Sequence, residues 1–322
     1  LPSRTIFDTV CRNDRFLRYG FVLLFLPLLR RAGWFGIALA SQGESKVQNR
    51  LADARRFFYF PHPIVPNERP NMNAIELQRF RNTVATAVST HPIVCENPYT
   101  PWFSKGTMSL DELRHFTVQF SVFSHLFLEA QLRKCINAAT IESYRASKEI
   151  LLNELGVSFG ANGSIEGSRF RFTAAHFEWL LEFGRHLGLD FTHLGKRSQG
   201  TQATLAFCDA MRDVYGSEDP STAAGASYAI EHWAAAGFWK ELILGLRTVK
   251  HRQVPDLPLG FWTWHDALEE RHAEHTDDEL AEAFATPGFD QEAFLAGGRA
   301  VLEAVSTFWR GLAEDREMTK VA

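Results

Sequence analysis

Late in the chain, the run Trp264-His265-Asp266-Ala267-Leu268-Glu269-Glu270-Arg271-His272 is written in helix-forming residues. At helical periodicity His265, Glu269 and His272 fall at i, i+4 and i+7, so two imidazoles and a carboxylate share one face. An amphipathic helix turns such a face inward and fills it with Leu, Ile or Val. Ionisable groups there must be paired, neutralised or bound to a cation. A fold that buries this stripe therefore has to bring other polar groups to meet it. Taken alone, the triplet allows two readings, a metal-ligating stripe or a solvated face crowded with charge. Asp266 and Glu270 are each off register by about 100° of helix rotation and are poorer candidates.

The rest of the 322-residue chain, 45% hydrophobic and 22% charged, holds enough apolar material for a large core. Its net charge of -4 and pI near 6.3 supply no basic field, and the Lys and Arg residues are scattered, so nucleic acid is not an expected partner. Cys11, Cys95, Cys135 and Cys208 show no CxxC spacing. That pattern argues against a disulfide framework or a zinc ribbon and fits a reducing cytoplasm.

An apolar run over residues 20–29 is closed by Arg30 and Arg31 at about half the length needed to cross a bilayer. It reads as a buried or partner-facing helix, and it motivates the expectation of a homodimer through the N-terminal arm. The chain opens on Leu1 without methionine, which leaves room for residues upstream. Residues 57–70 hold four prolines, which no regular helix or central strand accepts, and form an extended connector. A helix-prone segment from 73 to 89 and a second break over 96–101 follow. The expected division is an N-terminal helical arm with its connector over 1–95 and a helical domain over 96–322.

Beyond the second break the sequence predicts helices almost throughout, since period-2 alternation with turn dipeptides is scarce. Ser109-Leu110-Asp111-Glu112 is a capping box. It opens a long helix whose apolar face is Leu113, Phe116, Phe120, Phe123, Phe127 and Leu128. Glu129 interrupts that text, and spacing alone favours its facing solvent over its entering a polar centre. A further helix over 141–155 ends at Asn153-Glu154-Leu155-Gly156, with Gly156 as C-cap. The spacing then predicts helices over 170–187, containing His176, and over about 198–215, and Glu231 lies in apolar helical text between Ala223 and Leu246. Several helices thus each bring one carboxylate or imidazole, and the late helix brings three. A set of Glu154, His176, Glu231, His265, Glu269 and His272 is thiolate-free, which suits two iron or manganese ions inside a helix bundle; zinc would accept similar ligands.

Residues 97–106, Ser109 to Arg114, Asn153-Glu154-Leu155-Gly156, Ala175-His176-Phe177-Glu178-Trp179, Tyr228-Ala229-Ile230-Glu231 and the His265–His272 stretch together resemble the haem-oxygenase-like diiron oxidases and oxygenases. The resemblance covers roughly residues 97–315. It implies an all-α fold of about seven core helices carrying an N-terminal helical extension. Its ligand pattern is a Glu ending one helix, a His opening the next, a Glu in a later helix and a final His-x-x-x-Asp/Glu-x-x-His. Carried over, the pattern falls on Glu154, His176, Glu231, His265, Glu269 and His272. Two departures stand out. The gap between Glu154 and His176 is long and contains Glu166, an alternative first ligand, and the last carboxylate is Glu269 where Asp is common.

The resemblance further implies two Fe(II)/Fe(III) ions, O2 as co-substrate and an external reductant. The branch most like this chain N-oxygenates primary amines in natural-product biosynthesis and takes an extra carboxylate from the long preceding helix, where Glu129 stands. The expected substrate is accordingly a small amine or amino acid. Oxidative C–C cleavage of an amino or fatty acid is the alternative on the same metals, and a metal-free helical binding module is the alternative of another class. Arg171, His232, Trp264 and Arg271 neighbour the ligand positions and read equally well as pocket lining or as packing.

Overall fold

In the computed structural model, residues 72–157 and 175–321 are described, except for the side chains of 72, 268–275 and 319–321. The apolar run 20–29, the connector 57–70, Cys11, Glu166 and Arg171 lie outside the described residues. All the regular structure among the described residues is helical, in the order α1 Met72–Ser89, α2 Pro92–Cys95, α3 Thr100–Phe103, α4 Leu110–Ile136, α5 Ile141–Glu154, α6 His176–Arg185, α7 Gln202–Ala210, α8 Pro220–Ala234, α9 Phe238–Arg252, α10 Gly260–Ala285 and α11 Gln291–Val321. None of these helices is long and apolar enough to cross a membrane.

Local chemistry explains the boundaries. Ser109 Oγ accepts from the Glu112 backbone N–H at 3.1 Å and Glu112 Oε2 accepts from the Ser109 N–H at 2.7 Å, the reciprocal box that starts α4. Thr140 and Ser143 form a corresponding box at the start of α5. The expected helix over 198–215 is shorter and interrupted: a 3-10 turn at Arg197–Gln199 precedes α7, and Met211–Tyr215 continue it as a π-helical turn. The segment 223–246 is shared between two helices that part after Ala234.

From Leu77 onward the described chain belongs to one compact unit. Its core is aromatic. Phe103, Phe116, Phe120, Trp262, Phe308 and Trp309 are all buried. Phe116 lies 4.7 Å from Phe103, and Phe120 lies 5.0 Å from Trp262, in the offset arrangements that aromatic rings prefer. Phe80 of α1 joins the cluster against Phe284, Phe289 and Phe294. α8 and α11 cross at glycines: a Cβ on Gly225 would stand 1.9 Å from the Phe294 carbonyl oxygen, and one on Gly297 2.3 Å from that of Thr222. Backbone meets backbone there, so neither neighbour can give way cheaply.

The cysteines depart from expectation at one position. Cys95 is disulfide-bonded. The absence of CxxC spacing says nothing about a pairing distant in sequence. Cys135 and Cys208 are buried free thiols, and burial pushes the Cys208 thiol up to about 12.

Two outcomes are expected. Gly225→Ala should lower the urea midpoint by the equivalent of about 1–3 kcal/mol, whereas Gly260→Ala, with nothing within 4 Å of its Cβ, should not lower it. Alkylation at pH 8, followed by peptide mass spectrometry, should modify Cys208 about 100-fold more slowly in the native protein than in the unfolded one.

Candidate metal centre

Glu154 is the last residue of α5, and its position is set by the turn that follows. The Gly156 N–H reaches the Asn153 carbonyl at 3.0 Å and the Val157 N–H the Leu152 carbonyl at 2.9 Å, with Gly156 at φ 99°. This paired closure needs a residue that tolerates the left-handed region, which is the C-cap role the sequence assigns to Gly156. His176 is the first residue of α6, with Ala175 as N-cap; the expected helix start at residue 170 lies outside the described residues. His265 sits in the second turn of α10.

These three residues converge. The ligand atoms of Glu154, His176 and His265 all lie within 4.8 Å of one another. His176 is 2% exposed, and its Nδ1 stands 2.8 Å from Glu154 Oε2. That approach is close enough for an ion pair, yet it is misaligned for a hydrogen bond and Nδ1 has no hydrogen-bond partner. Leaving such a buried atom unsatisfied costs about 1–3 kcal/mol. A cation shared by the nitrogen and the carboxylate would remove that cost. It would also suit a carboxylate placed at the negative end of the α5 dipole.

His265 is oriented by the backbone. Its Nδ1 lies 2.7 Å from the Phe261 carbonyl oxygen, which can only accept, so Nδ1 carries the proton and Nε2 the electron pair. The walls are aromatic: Trp264 lies 4.2 Å from His176, Trp239 stacks on His265 at 4.8 Å, and Phe261 lies 4.4 Å from His265. Two imidazole nitrogens and one carboxylate, held by separate helices between aromatic walls, form a donor set that fits a first-row divalent metal.

The other predicted residues divide. Glu231 is buried in α8 but stands outside the tight group of three. Glu269 and His272 lie in α10 at the expected positions beyond His265, and their side chains fall outside the described residues, as does that of Arg271. His232, next to Glu231, stacks on Tyr228 at 3.8 Å, and its Nδ1 donates to the Tyr228 carbonyl at 2.8 Å. Trp264, one of the residues left open as lining or packing, borders the site.

Glu129 does not enter the bundle. It is exposed on α4, where its charge acts on Arg212. The reason is register. Residue 129 lies about 200° around the helix from Phe127, opposite the stripe Leu113, Phe120, Phe127. Continued by seven residues, that stripe reaches Lys134, which is 8% exposed. The polar residue that α4 sends inward is thus a lysine, and spacing signalled it once the stripe was followed past Phe127. Lys134 Nζ donates to Ser227 Oγ at 2.7 Å, lies 3.4 Å from Glu279 Oε2 and stands 5.0 Å from the Tyr215 ring centroid. Burial pulls its pKa down, but Glu279, Tyr215 and Glu231 outweigh burial and hold it above the usual lysine range.

No protein-family model matches the chain, and no curated protein matches it in sequence. Solved structures that resemble it include two proteins of unknown function. One is a CADD-like protein of unknown function from Nostoc punctiforme, with TM-score 0.53 and 19% identity over 77% of this chain and 99% of that one. The other is a domain of unknown function with a haem oxygenase-like fold from Shewanella denitrificans, with TM-score 0.50 and 12% identity over 79% of this chain and 96% of that one. At these identities the likeness is one of architecture, and the architecture of this chain is the all-helical haem-oxygenase-like fold.

Proposed function

We propose that the chain is an O2-dependent non-haem diiron oxidase or oxygenase acting on a small organic substrate. Its ligands would be Glu154, His176, Glu231, His265, Glu269 and His272. The observation that supports this most is the convergence of Glu154, His176 and His265 around a buried, unsatisfied Nδ1. Two bound irons, with O2 and an external reductant, supply the two-electron chemistry that side chains of this composition cannot perform. The protein's own part is positional. The turn at Gly156 fixes Glu154, the Phe261 carbonyl fixes His265, and Trp239, Trp264 and Phe261 pack against the imidazoles.

Two chemistries compete on this reading. N-oxygenation of a primary amine was tied to a seventh ligand from Glu129, and Glu129 is exposed. That placement favours the six-ligand alternative, oxidative C–C cleavage of an amino or fatty acid, with amine N-oxygenation second.

His176→Ala and His265→Ala should each lower iron affinity by about tenfold or more while keeping the helical circular-dichroism spectrum. Iron content equal to wild type in both would remove the metal reading, and no iron in wild type under any loading would put a helical binding module in its place. The reaction is read by mass, with Fe(II), O2, a reductant and a panel of amino and fatty acids. Loss of a carbon fragment is the expected product, with Glu129→Ala as active as wild type. Oxygen added at nitrogen, abolished by Glu129→Ala, would restore the N-oxygenase assignment.

A further inference from the structure

The Lys134 cluster is a second polar layer, and its register places it at the opposite end of the α10 stripe from His265. Ser227 Oγ lies 3.4 Å from Glu279 Oε2, and His232 Nδ1 lies 3.4 Å from Thr276 Oγ1. Numbers rise along α8 as they fall along α10, so the two helices run antiparallel. Ser227 and Glu231 are i, i+4 on α8 and share a face, about 6 Å apart along the axis. Positions 265, 269, 272, 276 and 279 form one stripe on α10. Lys134 and Glu279 therefore close one end of a stripe whose other end is His265, and Glu231 comes between.

We infer that Lys134 is a built-in cation that restricts metal occupancy at the Glu231 end of the site, so that the ion held by Glu154, His176 and His265 loads first and Lys134 sets the affinity for the second. This rests on the metal reading above. The ammonium is fixed by Ser227 and Glu279 in a place closed to water, and its charge acts on Glu231. A buried carboxylate needs a counter-charge, and here a lysine supplies one before any metal arrives. A divalent ion entering at Glu231 must then be placed about one helical turn from a charge of the same sign, in surroundings that screen it poorly. Lys134 is a positioning and charge-setting residue in this account and touches neither substrate nor the first ion.

The test is a titration of the full-length protein with Mn(II), reading stoichiometry and the two affinities by calorimetry, and single against paired ions by electron paramagnetic resonance. Wild type should bind one ion tightly and a second at least about tenfold more weakly. Lys134→Met should tighten the second ion by about tenfold or more and leave the first within about threefold. Lys134→Arg should behave as wild type. Glu279→Gln, which strips the lysine of its carboxylate partner, should weaken the second ion further. It provides a reading in the opposite direction should Lys134→Met fail to fold. A second affinity unchanged in Glu279→Gln, or unchanged or weakened in a folded Lys134→Met, overturns the inference while two-ion binding keeps the metal reading intact. Failure of wild type and all variants to bind Mn(II) or Fe(II) overturns both.

Discussion

A nearly water-free imidazole nitrogen lies 2.8 Å from a carboxylate oxygen without sharing a hydrogen bond with it, and much of the surrounding structure follows from that contact. Ionisable groups in an aromatic bundle are unfavourable unless each has a defined partner. Here the definition comes from helix ends. Glu154 is delivered by the last residue of α5 and His176 by the first of α6, so both lie where backbone direction is set by a cap. His265, inside α10, is instead held by its own helix through the Phe261 carbonyl. Placing two of three donors at termini lets short segments aim them independently, and the long α4, α8 and α11 are left to build the core.

That division also explains what the sequence discloses. Features governed by neighbours within four residues were legible: the Ser109 and Glu112 box, the Gly156 stop, the apolar face of α4 and the i, i+4, i+7 spacing on α10. Features decided by distant packing were not. The π-helical turn at Met211–Tyr215 brings Tyr215 into reach of Gln131 Nε2 at 2.8 Å, and no local signal in the sequence marks it. The division of 223–246 into α8 and α9 was missed for a similar reason, since Ala, Phe and Trp continue the helical text on both sides of the break.

Glu129 and Lys134 show how a resemblance and a register can disagree. The resemblance drew Glu129 inward because a carboxylate stands there in the amine-oxidising branch, whereas spacing favoured solvent. The helix follows spacing: with Phe120 and Phe127 buried or half-buried on the core side, a residue two positions past Phe127 has to leave on the other side. Glu129 then lies near the half-buried Arg212, which is already paired with Asp209 and Asp213 at the surface. The same stripe delivers Lys134 to the interior, where its long aliphatic stem packs and its ammonium finds Ser227 and Glu279.

The consequence is an interior with two unlike ends. At one, a carboxylate and two imidazoles bring their ligand atoms within 4.8 Å of each other. At the other, a lysine already satisfies the carboxylate of Glu279 and acts on Glu231. The antiparallel pairing of α8 with α10 fixes the spacing between these ends, because Ser227 against Glu279 and His232 against Thr276 leave no freedom to slide. The crossing of α8 with α11 at Gly225 and Gly297 holds α8 from its other side. A helix pinned on both faces cannot drift to bring Glu231 closer to His265, so any approach of that carboxylate to a metal must come from the side chain alone. The charge standing beside Glu231 then governs how readily it does so.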